Sequence, residues 1–289
     1  MWDPQQYLAF DDHRSRPFFD LLTRVTATEP REVVDLGCGP GHLTAVLARR
    51  WPGASVRAID SSPEMVASAR DRGIDATIGA VQEWRPSAET DVVVCNAVLH
   101  WVPGHPGLLS EWMRQLPTGA FLAVQVPGNF DAPSHRAIRQ VAARDEWRDR
   151  LGRAGILEPR AVLDPAGYAD LLAASGGAVD AWETTYLQRL TGDDPVLEWV
   201  TGTALRPVRG ALDDAQWQEF TAQLAPLLRA AYPRRGGGGG GGRGSGPGTG
   251  RRAKCQRHCI CCCVTWRVTT RLFFPPRRSV QPGRGLRKP

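Results

Sequence analysis

The stretch VVDLGCGPGHL, residues 33 to 43, places glycines at 37, 39 and 41 directly after a short apolar run, with an aspartate at 35. A glycine loop between a buried strand and a helix lets backbone amides approach a ligand with no side chains in the way. Two adenine-bearing cofactors are bound by loops of this kind. A dinucleotide fingerprint reads G-x-G-x-x-G and aims a helix N-terminus at a pyrophosphate, but here His42 stands where the last glycine would fall. Asp35 would repel a phosphate and could accept from a cationic amino group. Gly37, Gly39, Gly41 and Asp35 therefore favour S-adenosylmethionine, whose methionine end carries an ammonium, over NAD. The plainer alternative is a strand-to-helix turn that uses glycine for its geometry alone.

A second group of polar residues follows 25 positions later, in SVRAIDSSPEMVASAR. An apolar run over 55 to 59 ends in Asp60, and an acid at the end of a second strand can accept from both ribose hydroxyls. Ser61 or Ser62 caps the next helix, with Pro63 in its first turn. Met65, one turn further, is a soft side chain suited to lie against adenine, or equally an ordinary core methionine.

These residues need a frame. Runs of strand length at 32–36, 55–59, 75–78, 91–95 and 119–126 alternate with helical patterns at 41–50, 63–72 and 106–116, after an N-terminal helix near 13–25. Such alternation implies a parallel α/β sheet with helices on both faces and ligands beyond the carboxyl ends of its strands. After Pro127 the pattern turns mainly helical, with helices expected at 133–150, 165–175, 194–203 and 213–231 and a strand at 179–190.

Charge divides the chain. Residues 1–235 carry 24 Arg, no Lys and 30 acids, a net of −6, whereas 236–289 carry 10 Arg, 2 Lys and no acid, a net of +12. The overall balance of +6 thus belongs to no single unit and does not argue for a nucleic-acid partner. Three segments are expected: a catalytic domain over 1–235, a Gly-rich linker over 236–254 and a basic Cys/Arg/Pro-rich tail over 255–289. The tail is expected to be disordered, and its composition suits a GC-rich gene read in a shifted frame. Cysteines 255, 259, 261, 262 and 263 surround His258, but adjacent cysteines chelate a tetrahedral ion poorly and paired C-x-x-C knuckles are missing, so no metal site is expected. The opening MWDPQQYLAF has no apolar leader, and no run of about 18 apolar residues suggests a membrane span. Single cysteines at 38 and 95 suit a reducing cytoplasm.

With VVDLGCGPG, AIDSSPEM and DVVVCNAVLHWV together, the chain resembles the class I S-adenosylmethionine-dependent methyltransferases. Within that class it is similar to the bacterial trans-aconitate 2-methyltransferases, through YLAFDDHRSRP at 7–17, NAVLHWVPGHPGLL at 96–109, LAVQVPGNFDAPSH at 122–135, and WETTYLQRL through EWVTGTALRP at 182–207. The resemblance implies a Rossmann-like sheet with a helical insertion, and methyl transfer to a carboxylate of trans-aconitate. It departs in two places. Ala80 replaces the acid that usually meets the adenine amino group, which leaves adenine to the backbone around Val81 and Gln82. The final antiparallel strand of the family is replaced by the glycine run, although VTWRVTTRLFF, 264–274, has the propensity to stand in.

The implied chemistry selects the remaining candidates. A carboxylate is already ionised at neutral pH, so no general base is required; in-line placement, exclusion of water and cationic partners for the other carboxylates are. Arg14, Arg16 and Arg206 are the expected anchors, His100 and Trp101 the expected acceptor surroundings, and Tyr186 a possible donor to a substrate oxygen. Asn96 is placed to meet the methionine part of the cofactor. A monomeric enzyme acting on a small polycarboxylate, without nucleic-acid or membrane partners, is the expectation. Two alternatives stand beside it: another small-molecule oxygen or nitrogen acceptor with His100 as base, and a non-catalytic protein that only binds S-adenosylmethionine.

Overall fold

The computed structural model describes residues 15–157, 162–174, 178–190, 192–233 and 260–273. Five parallel strands carry the first half: β1 (Glu32–Leu36), β2 (Ser55–Asp60), β3 (Asp75–Ile78), β4 (Thr90–Asn96) and β5 (Phe121–Pro127). Helices α1 (Arg16–Thr23), α2 (Thr44–Arg50), α3 (Pro63–Asp71) and α4 (His105–Gln115) lie around them. The strand order is β3-β2-β1-β4-β5-β7-β6, where β6 is Ala178–Leu190 and β7 is Ile260–Phe273, and β7 runs antiparallel to both of its neighbours. The strand expectations for the parallel half agree with these elements to within about two residues.

β1 is buried along its whole length, as a central parallel strand covered on both faces must be. Alternation then divides the sheet. Val92, Val94, Phe121 and Ala123 pack with Phe18, Leu21 and Leu22 of α1 and with Leu47 of α2 on one face. Val93, Cys95, Leu122 and Val124 pack with Leu109, Trp112 and Met113 of α4, and with α7 (Pro165–Ala173), on the other. His105 and Tyr168 tie α4 to α7 across that second face through a 2.6 Å hydrogen bond between the ring Nε2 and the phenol, and burial pushes the His105 ring below its ordinary range.

The helical insertion has a core of its own, formed by α5 (Pro133–Ala142), α6 (Asp145–Arg153), α8 (Pro195–Thr201), α9 (Arg206–Ala211), α10 (Asp214–Ala231) and the end of β6. The single helix expected over 133–150 is in fact two, broken where Arg144 turns extended (φ −67°, ψ 151°). The physical reason is the apolar spacing. In one continuous helix Trp147 and Leu151 would lie about 180–220° around from Ile138, yet both sets are buried in the same core. Arg144 and the Trp147 indole then both donate to Gln223 Oε1, which fixes α6 against α10. The short helix α9 had no counterpart among the expected elements.

The tail supplies β7. Val124 to Pro127 pair with Thr269 to Trp266, and β6 pairs along Ile260–Phe273. The strand propensity of 264–274 is thus realised within the described part of the tail, while Cys255, His258 and Cys259 lie outside the described residues. A chain ending at Arg235 would leave β5 and β6 without their shared neighbour and expose two long edges. It is expected to elute as aggregate and to lose its cooperative melting transition, checked by size exclusion and circular dichroism against the full chain.

Candidate functional site

The carboxyl ends of β1, β2 and β4 come together around one loop. Asp60, closing β2, accepts from the Gly39 amide at 2.8 Å through Oδ2 and from the Ser62 amide at 2.9 Å through Oδ1. The amides of Gly37 and Cys38 donate to Ile59 O at 2.8 and 3.1 Å, so the loop after β1 is laced to the end of β2. Burial pushes the Asp60 carboxyl up, against the pull of its backbone amide donors. Asp35 is buried beneath the loop, where Thr44 Oγ1 donates to its Oδ2 at 2.6 Å; burial, opposed by that hydrogen bond and aided by the Asp60 charge, pushes it up to about 6.

The glycines differ in what they face. A Cβ at Gly41 would stand 2.8 Å from the Ala69 Cβ, so this position lets the loop close onto α3. A Cβ at Gly39 would meet nothing within 4 Å, although φ is +54°. Gly39 therefore borders open space beside the Asp60 carboxylate that its amide meets. A carboxylate offers about four acceptor positions; the amides of Gly39 and Ser62, with that of Ser61 beside them, engage most of these and leave capacity for a ribose hydroxyl.

Asn96 ends β4, and its Oδ1 is buried with no hydrogen-bond partner. The next residue, Ala97, holds φ +56°, a left-handed conformation that costs a residue with a side chain about 1 kcal/mol or more, and its amide donates to Gln125 O at 3.0 Å. Beyond this turn, the His100 ring lies 4.7 Å from Trp101 and 6.1 Å from Phe130, and Phe130 lies 5.6 Å from His135, which makes an aromatic wall past the ends of β4 and β5.

A further polar group comes from α1 and β6. The Arg16 guanidinium lies 4.9 Å over the Tyr186 ring, and the Tyr186 hydroxyl donates to Asp20 Oδ2. Register sets the height of this group. Gln125 and Trp182 both pair with Val268, so Tyr186, four residues on, stands roughly 13 Å beyond the level of Gln125.

The structure thus unites Asp35, Gly37, Gly39, Gly41 and Asp60 in one loop system, places Asn96, His100 and Trp101 at the adjoining strand end, and brings Arg16 to Tyr186. Ser62 rather than Ser61 caps α3, accepting from the Met65 amide at 3.3 Å, and Ser61 is exposed. Met65 is buried, as a core methionine would be. Val81 is buried and Gln82 exposed, both in the short 3-10 turn Val81–Glu83 after β3. Arg206 opens α9 and is half-buried, and Arg14 lies outside the described residues. Tyr186 differs most from expectation: its hydroxyl is turned to Asp20 and, with burial foremost, its pKa is pushed up. Asp20 and Gln125 were not anticipated. An acid on a surface helix and a glutamine inside an apolar strand carry no spacing signal, although a polar residue in the run FLAVQVP is itself unusual for a buried parallel strand.

Burial, with the Asp35 charge, pushes the Cys38 and Cys95 thiols up, which disfavours the reactive thiolate. Among the described residues no cluster of three or more His, Cys, Asp or Glu could hold a metal ion.

A family model for the methyltransferase domain matches residues 10–176. The chain is 61% identical over 238 residues to the trans-aconitate 2-methyltransferase of Rhodococcus jostii strain RHA1, covering 82% of this chain and 94% of that relative. It is 56% identical over 242 residues to the trans-aconitate 2-methyltransferase of Mycobacterium tuberculosis strain ATCC 25177 / H37Ra, covering 82% and 91%. Among solved structures, the YcgJ protein of Bacillus subtilis aligns with a TM-score of 0.53 at 13% identity over 91% of this chain and 100% of that one, a likeness of fold alone.

The two loop glycines make separable predictions. Gly41→Ala drives a methyl group into the α3 backbone and is expected to cost about 2–3 kcal/mol in urea unfolding. Gly39→Ala is expected to cost only about 1 kcal/mol, from its positive φ, yet to remove calorimetric binding of S-adenosylmethionine, because its Cβ projects into the ligand space.

Proposed function

The chain belongs to the methyltransferase domain family, an S-adenosylmethionine-dependent enzyme class, and we propose that it esterifies one carboxylate of trans-aconitate or a close polycarboxylic relative. The cofactor half rests on the open space at Gly39 over the Asp60 carboxylate. The acceptor half rests on identity of 56–61% to relatives bearing that name over four fifths of the chain.

Each residue has work that follows from its placement. Asp60 holds the ribose hydroxyls while it pins the loop. Asp35 sets a negative field under the loop for the ammonium, the Val81 and Gln82 backbone meets adenine in place of the acid missing at Ala80, and Asn96 Oδ1 accepts from the methionine end. The bound cofactor supplies a methyl group activated by a sulfonium. An acceptor carboxylate, already ionised, would take up that methyl group without a base, so this chain's residues would have only to align it and keep water out. Arg16 and Arg206 hold the carboxylates that do not react, and the His100 and Trp101 wall excludes water. No base is called for, which sets this reading apart from transfer to a hydroxyl or amine through His100.

Among the described residues no helix is long and apolar enough to cross a membrane. The reading includes action as a cytoplasmic monomer on a free small molecule, with residues 1–235 and the strand from the tail forming the catalytic unit.

Radiolabelled methyl transfer to a panel of di- and tricarboxylic acids tests the acceptor. Label is expected in trans-aconitate, with Arg206→Ala lowering kcat/KM at least tenfold and His100→Gln leaving it within threefold. Turnover of a hydroxyl or amine that depends on His100 would overturn the assignment. A second expectation concerns pH. Asp35 titrates near 6 when folded and near 4 when unfolded, so between these values the folded state binds more protons. Stability of the ligand-free protein therefore falls by about 2 kcal/mol as pH rises from 4 to 6, with Asp60 acting in the same direction. Affinity for S-adenosylmethionine rises over the same interval, as the ammonium favours the ionised acid. Asp35→Asn is expected to flatten both slopes, measured by urea unfolding and calorimetry across pH.

A further inference from the structure

Gln125 is fully buried, and among the described residues neither its Oε1 nor its Nε2 has a hydrogen-bond partner. Buried amides are almost always satisfied, and leaving one unmade costs stability. Here both ends of one side chain are orphaned near the end of β5. Its strand neighbour in register is Asn96, whose Oδ1 is orphaned as well.

Alternation places the two on the same face. Asn96 follows Val92 and Val94, and Gln125 follows Phe121 and Ala123, on the face covered by α1. They lie side by side at the carboxyl ends of β4 and β5, below the Arg16–Tyr186 pair and next to the strained turn at Ala97. Together they offer two acceptors and one NH2 donor at buried atoms, and among the described residues no group answers them.

From this we infer that Gln125 positions the acceptor, its Nε2 donating to the carboxylate that receives the methyl group while Asn96 serves the cofactor beside it. The inference rests on the proposed acceptor class. A neutral amide suits this place better than an arginine would. A guanidinium paired to the reacting carboxylate would stabilise its charge and blunt its nucleophilicity, whereas an amide fixes one oxygen and leaves the other free to attack. Arginines are then reserved for the carboxylates that stay unchanged.

Gln125→Met, close in shape and without the amide, separates this role from a structural one. If Gln125 serves a ligand at a cost to the fold, the variant melts a few degrees higher than wild type without ligand. It binds S-adenosylmethionine within twofold by calorimetry and loses at least tenfold in kcat/KM for trans-aconitate, chiefly through KM. Gln125→Glu sets a like charge against the acceptor, so its kcat/KM recovers as the pH falls and the side chain takes up a proton, a profile wild type lacks. A Gln125→Met protein with lower melting temperature and unchanged KM would overturn the inference. Should that variant fail to fold, a Gln125→Glu pH profile parallel to wild type would do the same. Failure of the acceptor assignment itself is distinguishable, because it appears in the wild-type protein as absence of turnover on every polycarboxylate.

Discussion

Everything at the ligand end depends on one carboxylate. Asp60 receives the amides of Gly39 and Ser62 and so joins the loop after β1 to the cap of α3, adding a side-chain tie to the Gly37 and Cys38 amide bonds on Ile59 O and to the close approach of Gly41 to α3. Each bond is charge-assisted and partly shielded, worth more than a neutral surface pair. Because burial already raises the carboxyl, the interaction is held in tension: the fold stations an acid where water is scarce and satisfies it with backbone donors only in part. The residual acceptor capacity is what a ribose hydroxyl can use. Asp35, 3% exposed and shifted further up, extends the same negative field beneath the glycines. A loop backed by two acids suits a cationic ligand and repels a pyrophosphate, and this is why the sequence pattern departs from the dinucleotide fingerprint where it does.

Much of this was legible in the residues. Three glycines, an acid before them and an acid one strand later give the ligand loop its position and polarity, and strand-length apolar runs give the parallel half of the sheet. Two kinds of feature were not legible. The break between α5 and α6 follows from both apolar stripes sharing the core built by α8 to α10, so it is set by partners distant in sequence, as is the hold of Gln223 on Arg144 and Trp147. The pairing of Tyr186 with Asp20, 166 residues apart, is likewise a product of packing, and it takes the hydroxyl away from the role its chemistry suggested. The place of Gln125 is different again. Its polarity within FLAVQVP was visible, but only the fold shows that no group among the described residues meets it.

The sheet's far side shows how a composition break can be crossed by topology. The glycine run separates two stretches of opposite net charge, and on composition alone residues beyond it belong to no domain. The register nevertheless places Ile260–Phe273 between β5 and β6. Cross-strand propensity in that stretch answers the demand of two unpaired edges, a demand set by β5, whose every residue is buried.

Charge raises a last apparent difficulty, since an acidic domain is asked to bind an acid. Ionic screening at physiological strength limits exposed charges to a range of about 8 Å, so the net charge of residues 1–235 is not what an acceptor at the strand ends feels. In the proposed reading what it feels is local: Arg16, which lies over Tyr186, the aromatic rings of His100, Trp101 and Phe130, and the amides of Asn96 and Gln125. Those amides are uncharged, while the cofactor side is doubly acidic. On that reading this asymmetry divides the site by charge, cation toward Asp35 and Asp60, anion toward the arginines. The neutral amides of Asn96 and Gln125 lie at the junction, where a sulfonium and a carboxylate must meet without either being neutralised by the protein first.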